Sequence, residues 1–279
     1  MDLAEYRQVN YDTWQRMAPG WEREHAWLWS STHQVSENMI SRLDPQPGQT
    51  LLELACGTGE TGFSAAPRLG EEGKLIATDF APDMVEAARR RAQELGLANA
   101  EVRVMDAERM DLPDDSVDGV LCRFGYMLMP DSATALAETR RVLRDGGRLS
   151  FSVWGGAERN PWAALAGAPL VQLGHMPMPQ PDEPGIFSMG SEERIRELVT
   201  GAGFGEPRIE EVVVEWSFDG FGQYLRFLQD LTGVIAIVLA RISDGERAQV
   251  HEAIKQNMEP FRSNGGYAMP GLALNAVAS

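Results

Sequence analysis

The chain has 279 residues and a net charge of −16, from 25 basic against 41 acidic side chains, which allows one large domain or a domain with an appended lid. The acidic balance argues against a partner that is a long nucleic acid, and two cysteines, Cys56 and Cys122, are too few for a disulfide framework or a four-sulfur metal site, so no metal is expected. With 43% hydrophobic residues, no basic leader, and a most apolar run (234–240) far short of the ~20 residues of a membrane helix, the sequence reads as a cytoplasmic protein with no membrane partner.

Residues 3–43 read as helical pieces broken at Pro19-Gly20. They are unusually aromatic, with Tyr6, Tyr11, Trp14, Trp21, Trp27 and Trp29, and Val35, Met39 and Leu43 form an apolar stripe. Pro45-Gln-Pro-Gly48 separates this segment from an alternating pattern. Strands are predicted at 51–55, 74–78, 101–105, 117–124 and 148–154, with helices at 60–69, around Met84 to Leu95, and at 133–143, and a turn at Asp145-Gly-Gly147. Such alternation means a parallel sheet wrapped on both faces. Residues 155–190 are proline-rich and irregular, with one helix near 162–173. Ser191 is placed to cap a helix ending at Gly201-Ala-Gly203. A strand at 208–216, a mostly helical stretch at 221–261 and a short strand at 272–278 complete the chain.

The first strand runs into Glu53-Leu-Ala-Cys-Gly57-Thr-Gly59-Glu-Thr-Gly62, a G-x-G-x-x-G pattern where a strand turns into a helix. Asp79 ends the second strand, 22 residues beyond Gly57, at the spacing of an acid that accepts from ribose hydroxyls. Asp106 ends the third strand, and Arg123 and Phe124 end the fourth. All lie at carboxyl ends of parallel strands, where open α/β sheets hold their ligands. Glu53 decides between nucleotides. A carboxylate four residues before Gly57 repels a pyrophosphate and suits a ligand carrying an ammonium and a sulfonium, which is S-adenosylmethionine.

The stretch from Leu51 to Trp154 resembles the core of a class I S-adenosylmethionine-dependent methyltransferase, of the subgroup that includes quinone-biosynthesis and other small-molecule enzymes. The resemblance rests on Leu-Glu-Leu-Ala-Cys-Gly-Thr-Gly at 52–59, Ala-Thr-Asp-Phe-Ala-Pro-Asp-Met at 77–84, Met-Asp-Ala at 105–107 and Arg-Val-Leu-Arg-Asp-Gly-Gly at 141–147. It implies that Glu53, Ala55, Gly57 and Gly59 surround the methionine part, with Cys56 and Thr58 in the same loop. Asp79 would bind the ribose. Phe80 and Met84 would lie by the adenine, although Met84 reads equally as a core position of its helix. Asp106 would meet the adenine amine, beside the Ala107 backbone N–H, and the Cys122–Arg123 backbone would face the methionine amine. The family usually has glycine where this chain has Ala55.

The resemblance further implies an α/β, Rossmann-like sheet of seven strands with the last one antiparallel and helices on both faces. It divides the chain into an N-terminal helical cap (1–47), a core (48–217 and 270–279) and an inserted helical lid (218–269). The expected activity is methyl transfer to a small, partly apolar molecule, with a homodimer compatible. An NAD(P)-dependent oxidoreductase on a related fold and a non-catalytic S-adenosylmethionine-binding protein are the rival readings. His25, His33, His175, Tyr126 and Asp131 are candidate bases, none singled out.

Overall fold

A computed structural model describes residues 3–178, 180 and 183–279. Prolines 179 and 181 of the irregular stretch lie outside the described residues. The strands are β1 (Thr50–Glu53), β2 (Lys74–Asp79), β3 (Ala100–Val104), β4 (Val117–Arg123), β5 (Leu143–Trp154), β6 (Arg208–Phe218), β7 (Arg262–Ser263) and β8 (Gly266–Ala278). The helices are α1 (Leu3–Leu43), α2 (Glu60–Ala65), α3 (Pro82–Glu94), α4 (Ser132–Val142), α5 (Pro161–Gln172), α6 (Glu192–Gly201), α7 (Phe221–Leu231), α8 (Val234–Arg241) and α9 (Asp244–Met258).

One sheet runs β3-β2-β1-β4-β5-β8-β6, with the two-residue β7 paired to β8 off this path. The pairs among β1–β5 are parallel, and β8 is antiparallel to both β5 and β6. The strand that reverses is therefore last in the chain, and the expected seven-stranded sheet is present with β7 added. Leu51, Leu52, Leu75, Val120, Leu121 and Phe151 are fully buried at its centre. Burial on both sides is why β1, β2 and β4 read as continuous apolar runs rather than as alternation.

Alternation along β5 separates the two faces. Ser150, donating to the Met39 carbonyl at 3.0 Å, faces α1, and so does Asn275 of β8, which donates to the Val35 carbonyl at 3.0 Å. Phe151 points the other way and meets Tyr126 edge-on, whose hydroxyl is 2.7 Å from Thr139 of α4. The Asp145-Gly-Gly147 turn lies inside β5 as an irregularity: the register to β4 jumps between Val117↔Leu143 and Gly119↔Arg148, with Gly146 at φ +77°.

Beyond β5, which begins at Leu143 rather than at 148, two further stretches differ from the sequence reading. Residues 3–43 form one helix that passes through Pro19 and Gly20 instead of breaking there. The dipeptide marks a close contact: a Cβ on Gly20 would collide with the Asp230 carbonyl of α7, and Arg23 one turn later pairs with Asp230 at 2.6 Å. Tertiary packing overrides the local break signal. The last strand begins at Gly266, not Leu272. Pro270 is tolerated because β5 pairing stops at Trp154↔Ala273, so its missing N–H falls where β8 has no neighbour on that side.

Ser191 caps α6 as expected, accepting from the Arg194 N–H at 3.2 Å. Helices α7–α9 lie between β6 and β8 in the chain; α7 is tied to α5 through Tyr224, whose hydroxyl donates to the Trp162 carbonyl at 2.6 Å. Among the described residues no single helix is long and apolar enough to cross a membrane.

The Gly20 contact has a measurable consequence. Gly20→Ala is expected to lower unfolding free energy by about 1–3 kcal/mol through overpacking, whereas Gly167→Ala in α5, where an added Cβ meets nothing within 4 Å, is expected to raise it by up to about 1 kcal/mol. Urea denaturation of the two variants measures both.

Candidate active site

The carboxyl ends of β1, β2, β3, β4 and β5 come together at one edge of the sheet. After β1 the chain turns through Ala55 at φ +49°, Gly57 at +54° and Gly59 at +91° before α2 begins. These left-handed angles let Cys56 N–H reach the Thr78 carbonyl (2.9 Å) and Gly59 N–H reach the Cys56 carbonyl (2.7 Å), closing the loop against β2. Glycine tolerates such angles; alanine does not, at a cost of roughly 1–2 kcal/mol. Ala55 is therefore strained, and its Cβ fills space that Gly125 leaves open, since a Cβ there would stand 2.7 Å from both the Ala55 Cβ and the Cys122 Sγ.

Asp79 is buried at the end of β2 and braces the loop. One carboxylate oxygen accepts from Gly57 N–H at 3.0 Å and the other from Ala81 N–H at 2.9 Å. Burial nonetheless pushes its pKa up to about 6, against the lowering effect of those bonds. Glu53, only 2% exposed, is pushed further, to about 8; desolvation outweighs the Gly62 backbone N–H and the Arg123 charge that favour ionisation. Its Oε2 has no hydrogen-bond partner. Gly62 makes room for that carboxyl: a Cβ there would collide with Oε2 and lie 2.9 Å from Cδ.

A second acid was not singled out from the sequence. Glu60, the first residue of α2, is buried and accepts from Thr58 Oγ1 at 2.8 Å and from Arg91 of α3 at 2.6 Å, with Arg123 at 3.8 Å. Arg123 gives its closest bond to Thr32 of α1, 2.7 Å away. Its side chain thus ties β4 to α1 and α2. An acidic residue immediately after the glycine loop, in a helix start with no exposed face, was the available signal.

The remaining expected residues fall in two groups. Cys56 and Cys122 are buried thiols whose pKa values burial raises, Cys122 to about 12. Asp106 is exposed and accepts from Glu108 N–H at 2.9 Å, with the buried Ala107 between them. Met84, by contrast, packs with Met17, Ala18 and Ala81, flanked by Trp14, Trp21 and Phe80, which favours its reading as a core position. Phe80 also meets Tyr11 edge-on at 6.0 Å.

Helix α1 roofs this edge. Trp21 lies 3.9 Å from where a Cβ on Gly57 would be, and its indole N–H is buried without a partner; Trp14 leans on it edge-on at 5.6 Å. The roof is pinned by Tyr6 and Asn10, which donate to the Leu128 carbonyl at 3.3 and 3.2 Å, by Arg7 on Glu108, and by Glu22 on Arg90 at 2.8 Å. Of the candidate bases, Tyr126 is fully buried on Thr139, Asp131 caps α4 through Thr134 with its pKa lowered by those bonds, and the His25 and His33 Nδ1 atoms lie against carbonyls of their own helix.

Residues 51–147 match the family described as methyltransferase domain. Over this span the chain is similar to a methyltransferase domain. Over 118 residues it is 36% identical to aklanonic acid methyltransferase DauC of Streptomyces sp. (strain C5), spanning 42% of this chain and 54% of that protein. It is 33% identical over 113 residues to a demethylmenaquinone methyltransferase of Oceanobacillus iheyensis, spanning 40% and 48%. The chain thus covers about half the length of these curated relatives. The crystal structure of a SAM dependent methyltransferase from Aquifex aeolicus superposes with a TM-score of 0.51 at 25% identity, over 63% of this chain and 83% of that one. The glycine loop and Asp79 belong to the matched span, whereas α1 and α7–α9 lie outside it.

The strained alanine gives a direct test of the loop geometry. Ala55→Gly is expected to raise unfolding free energy by about 1 kcal/mol, and Gly125→Ala to lower it by about 1–3 kcal/mol by crowding the Ala55 methyl and the Cys122 thiol. Thermal and urea unfolding report both.

Proposed function

We propose that this protein transfers a methyl group from S-adenosylmethionine to a small, partly apolar acceptor. The observation that carries the reading is the pair of buried carboxyls flanking the glycine loop, Asp79 braced on Gly57 N–H and Glu53 with a free Oε2. A buried, unpaired carboxyl oxygen is a standing cost that a cationic ligand relieves. The names of the two relatives, acting on aklanonic acid and on demethylmenaquinone, support a small organic acceptor.

In this reading Glu53, Ala55, Cys56, Gly57, Thr58 and Gly59 surround the methionine part and Asp79 takes the ribose hydroxyls. Phe80 borders the adenine, Asp106 and the Ala107 N–H meet its polar edge, and the Cys122–Arg123 backbone faces the amine. The bound cofactor supplies an activated methyl on a cationic sulfur. The protein's own contribution is to hold the acceptor close and aligned, worth roughly 7–11 kcal/mol of barrier, and to keep water out under α1. No base is assigned, in keeping with the occupied partners of Tyr126 and Asp131. We assign 1–47 as a cap and 218–269 as a lid over the acceptor side. Trp21 stands over Gly57, so ligand entry requires the N-terminal half of α1 to shift. Two buried thiols and an acidic surface fit a cytoplasmic setting.

Calorimetric titration tests the reading. S-adenosylmethionine is expected to bind with a dissociation constant of about 1–100 µM, as for ordinary enzyme ligands, and Asp79→Ala to weaken it at least ~10-fold, the cost of a hydrogen bond to a charged group. Transfer of a labelled methyl group to a panel of phenols, amines and carbon acids then follows. Tighter binding of NAD, or methyl transfer confined to protein or nucleic acid, contradicts it.

A further inference from the structure

The carboxyl ends of β1, β4 and β5 bury polar groups that the fold leaves poorly served. Arg123 and Ser152 are in-register neighbours on β4 and β5, so their side chains leave the sheet on the same face. Ser150, two residues earlier on β5, reaches the Met39 carbonyl and marks that face as the one beneath α1. Glu53 shares it, because it is level with Leu121, two residues before Arg123.

A guanidinium carries five N–H donors. Among the described residues the Arg123 side chain makes one hydrogen bond, to Thr32. The carboxylate it approaches, Glu60, stands 3.8 Å away and is already held by Arg91 at 2.6 Å. Burial therefore holds the Arg123 pKa below the usual arginine value. Its side chain is still 11% exposed, against 2% for Glu60, which keeps it within reach of a ligand. The fully buried Ser152 has a hydroxyl with no partner, and Glu53 has its free Oε2. Phe124 backs the guanidinium: its ring lies 5.8 Å away and stacks on Trp154 at 4.1 Å, with Trp216 behind at 6.0 Å from Trp154. Phe124 keeps φ +60° while its N–H pairs with the Ser152 carbonyl at 2.8 Å. A carboxyl and a guanidinium buried on one face, each short of a partner, fit the two ends of a zwitterion.

We propose that Arg123, assisted by the Ser152 hydroxyl, holds the α-carboxylate of the methyl donor while Glu53 takes its ammonium. This rests on the methyl-transfer reading and assigns two side chains that the reading leaves unused.

Calorimetry of S-adenosylhomocysteine and of its decarboxylated counterpart, which keeps the amine, tests the assignment. The native chain is expected to prefer the carboxylate-bearing ligand about 10–100-fold, the strength of hydrogen bonds between charged groups. Arg123→Gln is expected to abolish that preference by weakening this ligand alone, whereas a merely structural arginine would weaken both ligands alike. Arg123→Lys, which keeps the charge and loses the fork, is expected to reduce the preference, and Ser152→Ala to lower it about 3-fold or more. Thr32→Val removes the tie to α1 but not the charge, and is expected to retain it. The proposal is overturned if the native chain binds both ligands equally or if Arg123→Gln keeps the preference. Should Arg123→Gln not fold, an unchanged preference in both Arg123→Lys and Ser152→Ala overturns it equally. If neither ligand binds the native chain, the methyl-transfer reading itself falls and the proposal with it.

Discussion

Two carboxyl groups, Glu53 and Asp79, are buried at adjoining strand ends, and burial disfavours the charged form of each. Asp79 is compensated by two backbone N–H groups, from Gly57 and Ala81, whereas Glu53 keeps an oxygen without a partner. Gly62 has no side chain because that carboxyl occupies the space, and the left-handed turn through Ala55, Gly57 and Gly59 presents backbone rather than side chains to the crevice. A cation meeting Glu53 would offset the cost of that burial.

The neighbouring charges are handled differently. Glu60, just past the loop, is fully served by Thr58 and Arg91, and Arg123 spends its closest hydrogen bond on α1 through Thr32. The glycine loop, β4 and the roof helix are thereby joined through one guanidinium. Any displacement of α1 would load the Arg123–Thr32 contact.

Much of this was legible in the sequence because it depends on local chemistry. Strand ends appear where apolar runs stop at Glu53, Asp79 and Asp106, and Ser191 announces its helix by its own capping hydroxyl. What was illegible depends on distant partners. Pro19-Gly20 reads as a break until Asp230, more than 200 residues away, is seen to need the missing side chain. The stretch 267–271 carries no strand signal of its own and becomes strand by pairing with β6. For Met84 the family resemblance implies an adenine contact and the helix period a core position, and the packing of Met17 and Ala18 against it favours the core. The strained angle at Phe124 and the aromatic pile behind it likewise exist only once β4, β5 and β6 are side by side.

Burial holds Glu53 protonated, and a cationic ligand beside it would displace that proton. Its pKa of about 8 lies above the ordinary carboxylate range, so the folded chain carries a proton there at pH 7 that the unfolded chain does not. This group therefore favours the fold at low pH, and its contribution is lost as pH rises toward 8. A cation beside it lowers the pKa and expels the proton. Calorimetric titration of S-adenosylmethionine at pH 7, in buffers of different ionisation enthalpy, measures this directly. The account predicts release of close to one proton per molecule bound (about 0.9 at most from a group of pKa about 8), abolished in Glu53→Gln. Binding heats that are independent of buffer, or unchanged proton release in Glu53→Gln, would contradict it.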